Sequence, residues 1–335
     1  MASTKQLIEK RDNIASIVSY VRTRGKATRM EISSALSLSW ACVSDLTAFL
    51  ISEGILHELR KSDTQSSEAK GRTPTYLALS EKKYFLGVDI NDTGIAITVL
   101  ALNGKRLGTR KWKSERLEST EELIASACRK IEEMMPKNAD CLGIGVAMEG
   151  RRSEDGSWGY PLACGVVNMR PEVDIEKRLG LPVFARHDPE CMLYAAVDSL
   201  DADCLVIRVD TGIGVAAMKK GRILELPLEL GFIQSGGTTL RRILRSCAKE
   251  GDYTAIAREL GLAAANLSWL LGVKKVFLVG EIIEWLADVR EVFDKAFRSV
   301  GGCMEYEISN IGDASEGAAK VAMAEFPAMR ETQLI

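Results

Sequence analysis

The sequence predicts a mixed α/β chain in two unlike parts: a small basic segment of three helices with a short ribbon, then two β-rich lobes with helices. Three observations carry this prediction. The 335 residues are 46% hydrophobic and 27% charged, which fits globular modules with room for about two domains. A polar stretch over residues 60–74, RKSDTQSSEAKGRTP, marks an exposed connection between short apolar runs. Residues 1–80 hold eleven Lys+Arg against eight Asp+Glu, whereas residues 81–335 hold 33 against 38, so the positive balance lies on the N-terminal side. The formal charge of the whole chain is −2, which excludes nucleic-acid binding by bulk charge and confines any basic surface to a patch.

In the first part, Ile14, Ile17, Val18 and Val21 recur at i, i+3, i+4 and i+7 and place one apolar stripe on a first helix, broken at Gly25. Thr28-Arg29-Met30-Glu31 has the S/T-x-x-E form of a capping box, so a second short helix runs from there to about Leu36. Ser39 can cap a third helix with Val43, Leu46 and Leu50 inward and Trp40, Ala41, Ser44 and Asp45 outward. Gly54 ends it, and residues 55–59 and 75–79 read as two strands joined by the polar loop. Three helices and a two-stranded ribbon make a winged helix-turn-helix over residues 1–80. On DNA its third helix enters the major groove while basic and hydroxyl groups reach phosphates. Lys26, Thr28, Arg29, Ser37, Ser39, Trp40 and Ser44 are expected near DNA, with Gly71-Arg72 at the wing tip. The competing reading is a protein-interaction bundle, since a net +3 is modest for counterion release.

The second part opens with strand patterns at 84–90, 94–101 and 105–112, a helix at 119–135 and a strand at 141–147. A later unit repeats the theme, with strands at 204–209, 215–218 and 222–224 around the turn Thr211-Gly212-Ile213-Gly214. No stretch approaches the ~20 apolar residues of a membrane span, and the polar start lacks the apolar core of a secretory signal, so a cytoplasmic protein is expected. The eight cysteines are scattered without a C-x-x-C pair and are expected to be reduced thiols.

The order of several pieces resembles the ROK family of bacterial sugar-responsive repressors and sugar kinases, in its repressor form with an N-terminal winged helix. The matching pieces are residues 26–58 with Gly71-Arg72-x-Pro74, Gly87-Val88-Asp89-Ile90-x-x-Thr93, Gly143-Ile144-Gly145-Val146-Ala147, Leu181-Pro182-Val183 leading to His187-Asp188, Thr211-Gly212-Ile213-Gly214, Glu229-Leu230-Gly231 and residues 276–280. The resemblance implies an actin-like, ribonuclease-H-like domain over 81–335, in two lobes of about 81–187 and 188–335 that close on a ligand. By that resemblance Asp89, Asp92, Thr93, Asp210, Thr211, Gly212, Gly214 and Gly280 stand at a degenerate nucleotide site. Glu149, Gly150, Asn168, His187, Asp188, Glu190 and Glu229 would border the sugar, with Asp188 matching the catalytic base of the kinases.

Departures from the family pattern point away from catalysis. Asn91-Asp92 and Asp210 replace glycines in the two phosphate turns, and Glu281 follows Gly280 where a second glycine is usual. Like charges ~5 Å apart repel by about 0.8 kcal/mol in water and several-fold more in a partly dry cleft, so ATP and magnesium are expected to bind poorly. Phe232 stands where the family has a zinc-binding His, and only Cys247 precedes Cys303 downstream, so a four-ligand zinc site is not expected. The reading is a transcriptional repressor for carbohydrate-related genes: it binds a double-stranded operator as a homodimer or higher homo-oligomer and senses a sugar or derivative. Residues 253–271 are offered as part of the dimer interface. The alternative is an ATP-dependent sugar kinase carrying a DNA-binding arm.

Overall fold

A computed structural model of the chain describes residues 4–59, 74–91, 93–115, 117–150, 152–162, 165–197, 202–224, 229–301 and 304–329. Helix α1 (Thr4–Arg24) buries Ile17, Val18 and Val21, the stripe expected from their spacing. Strand β1 (Ala27–Thr28) leads into α2 (Arg29–Leu36), which opens with the predicted capping box: the Glu31 amide donates to Thr28 Oγ1 at 3.2 Å, and the Thr28 amide donates to Glu31 Oε2 at 2.7 Å. Helix α3 (Trp40–Ser52) starts at Ser39, whose hydroxyl accepts from the Cys42 amide at 3.2 Å, and it buries Val43, Leu46 and Leu50. Strands β2 (Leu56–Glu58) and β3 (Tyr76–Leu79) follow. The ribbon expected to have two strands has three, in the order β1-β3-β2, all antiparallel. Two residues are too few to show an alternating pattern, so β1 left no signal in the sequence.

Two five-stranded sheets form the rest. The first is built from β4 (Lys83–Asn91), β5 (Gly94–Ala101), β6 (Arg106–Lys113), β7 (Asp140–Met148) and β10 (Val183–His187), with α4 (Thr120–Met134), the hairpin β8 (Trp158–Leu162) and β9 (Gly165–Met169), and α5 (Pro171–Leu179) between them. Helix α6 (Asp188–Ala196) leads out of it. The second sheet takes β11 (Cys204–Val209), β12 (Ile213–Lys219), β13 (Arg222–Ile223), β16 (Lys275–Val279) and β17 (Glu305–Ile308). A small hairpin, β14 (Gln234–Ser235) with β15 (Thr238–Thr239), and helices α7 (Leu240–Glu250), α8 (Thr254–Leu271) and α9 (Ile282–Ser299) pack around it. Both sheets run third, second, first, fourth, fifth strand in order of appearance, with the first three antiparallel and the last two parallel additions. The repeat seen in the sequence is therefore a repeat of topology.

The last helix, α10 (Ser315–Met329), departs from the expected division of lobes at 187/188. It returns to the first sheet, lies on β4, β5 and β7, and packs against α6. Gly87 and Gly145 permit this approach, because a Cβ at either would come within 1.8 Å of the Ser315 or Ala318 carbonyl oxygen. One hydrophobic cluster then runs through both parts of the chain. Ile17, Val21, Leu50 and Leu77 from the N-terminal unit pack with Phe85, Leu100 and Leu142 of the first sheet and with Ala322, Met323 and Phe326 of α10. Phe85 and Phe326 meet edge to face at 5.5 Å.

Candidate ligand cleft and DNA-facing surface

Between the two sheets lies a cleft with two chambers that share Gly150, His187 and Glu229. The inner chamber, about 600 Å³, is bordered by the second of the turns expected at the nucleotide site, Asp210 to Gly214. Asp188 is the first residue of α6 and is buried. Its Oδ2 is bound by Arg208 Nη1, while Arg208 Nε reaches Asp210 Oδ2, so one guanidinium links both carboxylates. Asp210 Oδ1 in turn accepts from the Glu281 amide at 2.8 Å. Gly280, at φ +89°, completes the arrangement, because a Cβ there would lie 2.3 Å from Asp210 Oδ1.

This corrects the electrostatic expectation. Asp210 is not a bare charge in a phosphate cradle, since Arg208 neutralises it and its other oxygen occupies a backbone N–H at the start of α9. The first turn is closed in a similar way: Asn91 Oδ1 accepts from the Thr93 amide at 3.0 Å, the Thr93 hydroxyl at 2.6 Å and the Gly94 amide at 3.2 Å. Asp92 lies outside the described residues. The amides of Thr93, Gly94 and Glu281 are thus already paired with side chains and are not free to hold a polyanion. Arg241 Nε is the exception, a buried donor on the chamber wall with no partner among the described residues.

Asp89 is fully buried at the end of β4, beneath the N-terminal end of α10. Its Oδ2 accepts from the Ala314 amide at 2.9 Å and from Asn91 Nδ2 at 3.2 Å, whereas Oδ1 has no partner among the described residues. Burial raises this carboxyl to about 6, against the pull of the Ala314 N–H and of Arg208. Thr211, Gly212 and Gly214 line the inner chamber; Thr93 is exposed beside Asn91.

The outer chamber, about 710 Å³, is framed by Arg186, His187, Glu190, Tyr194 and Trp158, with Glu229 at its junction with the inner one. Trp158, which sequence reasoning missed, stacks on the His187 ring at 6.5 Å and keeps its buried Nε1 donor without a partner among the described residues. His187 Nε2 lies 3.3 Å from Asp188 Oδ1. Burial and then the Arg208 charge push the imidazole down to about 4, so the ring is neutral at physiological pH. The structure brings together Glu149, Gly150, His187, Asp188, Glu190 and Glu229. It places Asn168 elsewhere, exposed on the β8–β9 hairpin and on neither chamber wall, so the loop position did not carry the side chain to the cleft. Phe232 is largely exposed, and no group of three or more His, Cys, Asp or Glu among the described residues, which do not include Cys303, is arranged to hold a metal ion.

The expected DNA-facing residues separate into two groups. Lys26, Ser37, Ser39 and Trp40 are exposed, Trp40 at 59%, and Ser44 is half-buried on α3. Lys26 Nζ lies 5.0 Å from the Tyr76 ring centre, an exposed cation poised beside the ribbon. Thr28 and Arg29 are corrections. The Thr28 hydroxyl is buried in the capping box, and Arg29 donates to Thr47 Oγ1 at 3.0 Å and pairs with Glu58 at 3.1 Å. Arg29 therefore braces α3 against β2, and its charge is already spent on a carboxylate. Gly71 and Arg72 lie outside the described residues. No helix among the described residues is long and apolar enough to cross a membrane.

Comparison with known proteins agrees with this architecture. Residues 85–225 match the profile of the ROK family. The DNA-binding transcriptional dual regulator NagC of Escherichia coli K12 is 24% identical over 219 residues, covering 63% of this chain and 53% of NagC. The N-acetylglucosamine repressor of Shigella flexneri gives the same figures, so the chain spans about half the length of the curated relatives it matches. Among solved structures, a ROK family transcriptional regulator described as a homolog of the E. coli MLC protein superposes with a TM-score of 0.77 at 20% identity, covering 97% of this chain and 98% of that one. A ROK family glucokinase from Streptomyces griseus, solved with glucose and AMPPNP, superposes at 0.56 with 17% identity over 71% of this chain and 98% of its own. The fold is shared with both kinds of protein, and the similarity to the ROK family profile lies within residues 85–225 of this chain.

Proposed function

We propose that the protein is a DNA-binding transcriptional repressor whose ROK domain senses a sugar or sugar derivative and does not turn over ATP. The observation that carries the reading is the shared core. The N-terminal unit is not tethered at a distance but packs through Ile17 and Val21 of α1 and Leu77 of β3 into one cluster with α10 and the first sheet. A ligand that changes the angle between the sheets by favouring one closed state is felt by the helices that face DNA, at a coupling of typically 1–3 kcal/mol. The outer chamber suits a sugar: it has an aromatic face in Trp158, acceptors in Glu190 and Glu229, and an unpartnered indole donor. A homodimer would present two α3 helices to two half-sites.

The kinase reading is less well supported, because Asp188 is tied to Arg208. A carboxylate shared with a guanidinium is a weaker base, and general-base work requires a free lone pair within reach of the substrate hydroxyl. The test is selection of bound duplexes from a random pool with the full chain, followed by gel shifts with and without a panel of sugars and sugar phosphates. One enriched two-fold motif whose affinity changes with one sugar class supports the proposal. Absence of any enriched duplex, or sugar phosphorylation lost in Asp188→Asn, contradicts it.

A further inference from the structure

A third cavity, about 310 Å³, lies away from the cleft, where α1 crosses the first lobe. Its walls include Arg22 from the last turn of α1, Leu100 from β5, Tyr194 and Val197 at the far end of α6, and Lys320 and Met323 from α10. It combines two cations with a hydrocarbon lining. Arg22 Nε donates to the Leu102 carbonyl at 3.1 Å, which fixes the stem but supplies no counter-charge. Among the described residues no carboxylate lies within ion-pair distance of it, and burial pulls the guanidinium down to about 10, still charged at neutral pH. Lys320 Nζ donates to the Ala195 carbonyl at 3.3 Å and lies 3.6 Å from Glu316, a carboxylate that Arg106 also claims. The balance around the cavity is positive, and a desolvated cation without a partner is unfavourable. Tyr194 adds a neutral O–H, its burial pushing the phenol up to about 12.

We infer that this cavity is a second effector site, taking a small organic anion, a carboxylate or phosphate monoester on a short hydrocarbon body, with Arg22 and Lys320 as its counter-ions. It stands apart from the cleft but communicates with it, because Tyr194 lines both the cavity and the outer chamber. An anion held there ties α1 of the N-terminal unit to α10, and α10 begins beside Asp89. Occupancy therefore stiffens the joint through which the proposed repressor would transmit closure.

The probes are butyrate and butyl phosphate, with butanol as the uncharged control, titrated into the full chain at constant ionic strength by calorimetry and thermal unfolding. Saturable binding in the millimolar range by at least one anion, with a rise in Tm and none from butanol, is expected. Which anion binds separates the carboxylate source from the phosphate source. Arg22→Met should weaken binding at least about tenfold, as loss of a charge-assisted bond does, and should abolish the anion-dependent rise in Tm when each protein is compared with its own anion-free value, since the variant also loses the bond to the Leu102 carbonyl. Lys320→Met should weaken binding as well, and serves if the first variant folds poorly. Failure of both anions to saturate, equal binding by butanol, or undiminished binding in both variants would overturn the assignment.

Discussion

The two chambers of the cleft share His187, Gly150 and Glu229, yet they treat a ligand in opposite ways. On the inner chamber wall Arg208 joins Asp188 to Asp210, whose other oxygen satisfies the Glu281 amide, and beyond that wall Asn91 satisfies the turn amides of Thr93 and Gly94. In the outer chamber Trp158 is stacked on His187 and keeps a buried indole N–H with no partner among the described residues. On the proposed reading, the difference teaches that loss of a nucleotide site need not proceed by accumulating repulsion. A site can be closed by side chains that act as built-in substitutes for the phosphate, while the neighbouring pocket stays available.

The largest effect that sharpens this contrast is Arg208→Ala. It leaves the buried Asp188 and the half-buried Asp210 without their cation, and breaking a buried pair costs about 3–5 kcal/mol, to be read as a lower midpoint in urea unfolding. A change within about 0.5 kcal/mol, the range of ordinary surface substitutions, would mean that Arg208 is not the keystone of the inner chamber.

Asp89→Asn comes next and should stabilise. The folded carboxyl titrates near 6 whereas the unfolded one titrates near 3.8, so the folded state holds the proton across that window and stability falls as pH rises through it. Replacing the carboxyl removes up to about 3 kcal/mol of that loss at pH 7.5 and little at pH 4, while Asn still accepts from the Ala314 amide. His187 works in the opposite sense: held near 4 in the fold, it makes stability rise with pH from about 4 to its unfolded value. The variant should therefore show a steeper rise of Tm with pH than the wild-type chain. An unchanged pH profile would break the account of Asp89.

In the outer chamber, Trp158→Phe keeps the ring and removes the donor. Affinity for the sugar that affects operator binding should fall about tenfold, the scale of one lost hydrogen bond in a dry site, with no change in any residual ATP signal. Smallest is the contrast on the DNA side. Lys26→Ala should reduce the salt slope of operator binding by about one, whereas Arg29→Ala should cost about 1 kcal/mol of stability and leave the slope unchanged. Equal slopes in the two variants would break the division between exposed and braced cations.

Much of the fold was legible because its signals are local. The capping box at Thr28 and Glu31, the Ser39 cap and the stripe through Ile17 and Val21 are set by residues within two turns of each other. The candidate site was legible only where it followed the chain, at Asp188, His187 and the Gly-rich turn. Arg208 was not anticipated, although its signal was present: an arginine in C-L-V-I-R-V conflicts with a strand whose other residues are all buried. Trp158 reaches the cleft through a hairpin that no periodicity places, and Asn168, on the partner strand, points away. Arg29 read as a phosphate contact because the sequence could not show that Thr47 and Glu58 converge on it. Long-range pairing decided each of these cases.

The most direct measurement of the closed inner chamber is calorimetric titration of the full chain with magnesium and AMPPNP up to millimolar concentration, in the presence of the sugar that shifts operator binding. The account predicts no saturable heat for the wild-type chain and measurable binding once Asn91→Gly and Asp210→Gly free the turn amides. Saturable binding by the wild-type chain, with the Thr93 and Glu281 amides turned onto the nucleotide phosphates, would contradict it.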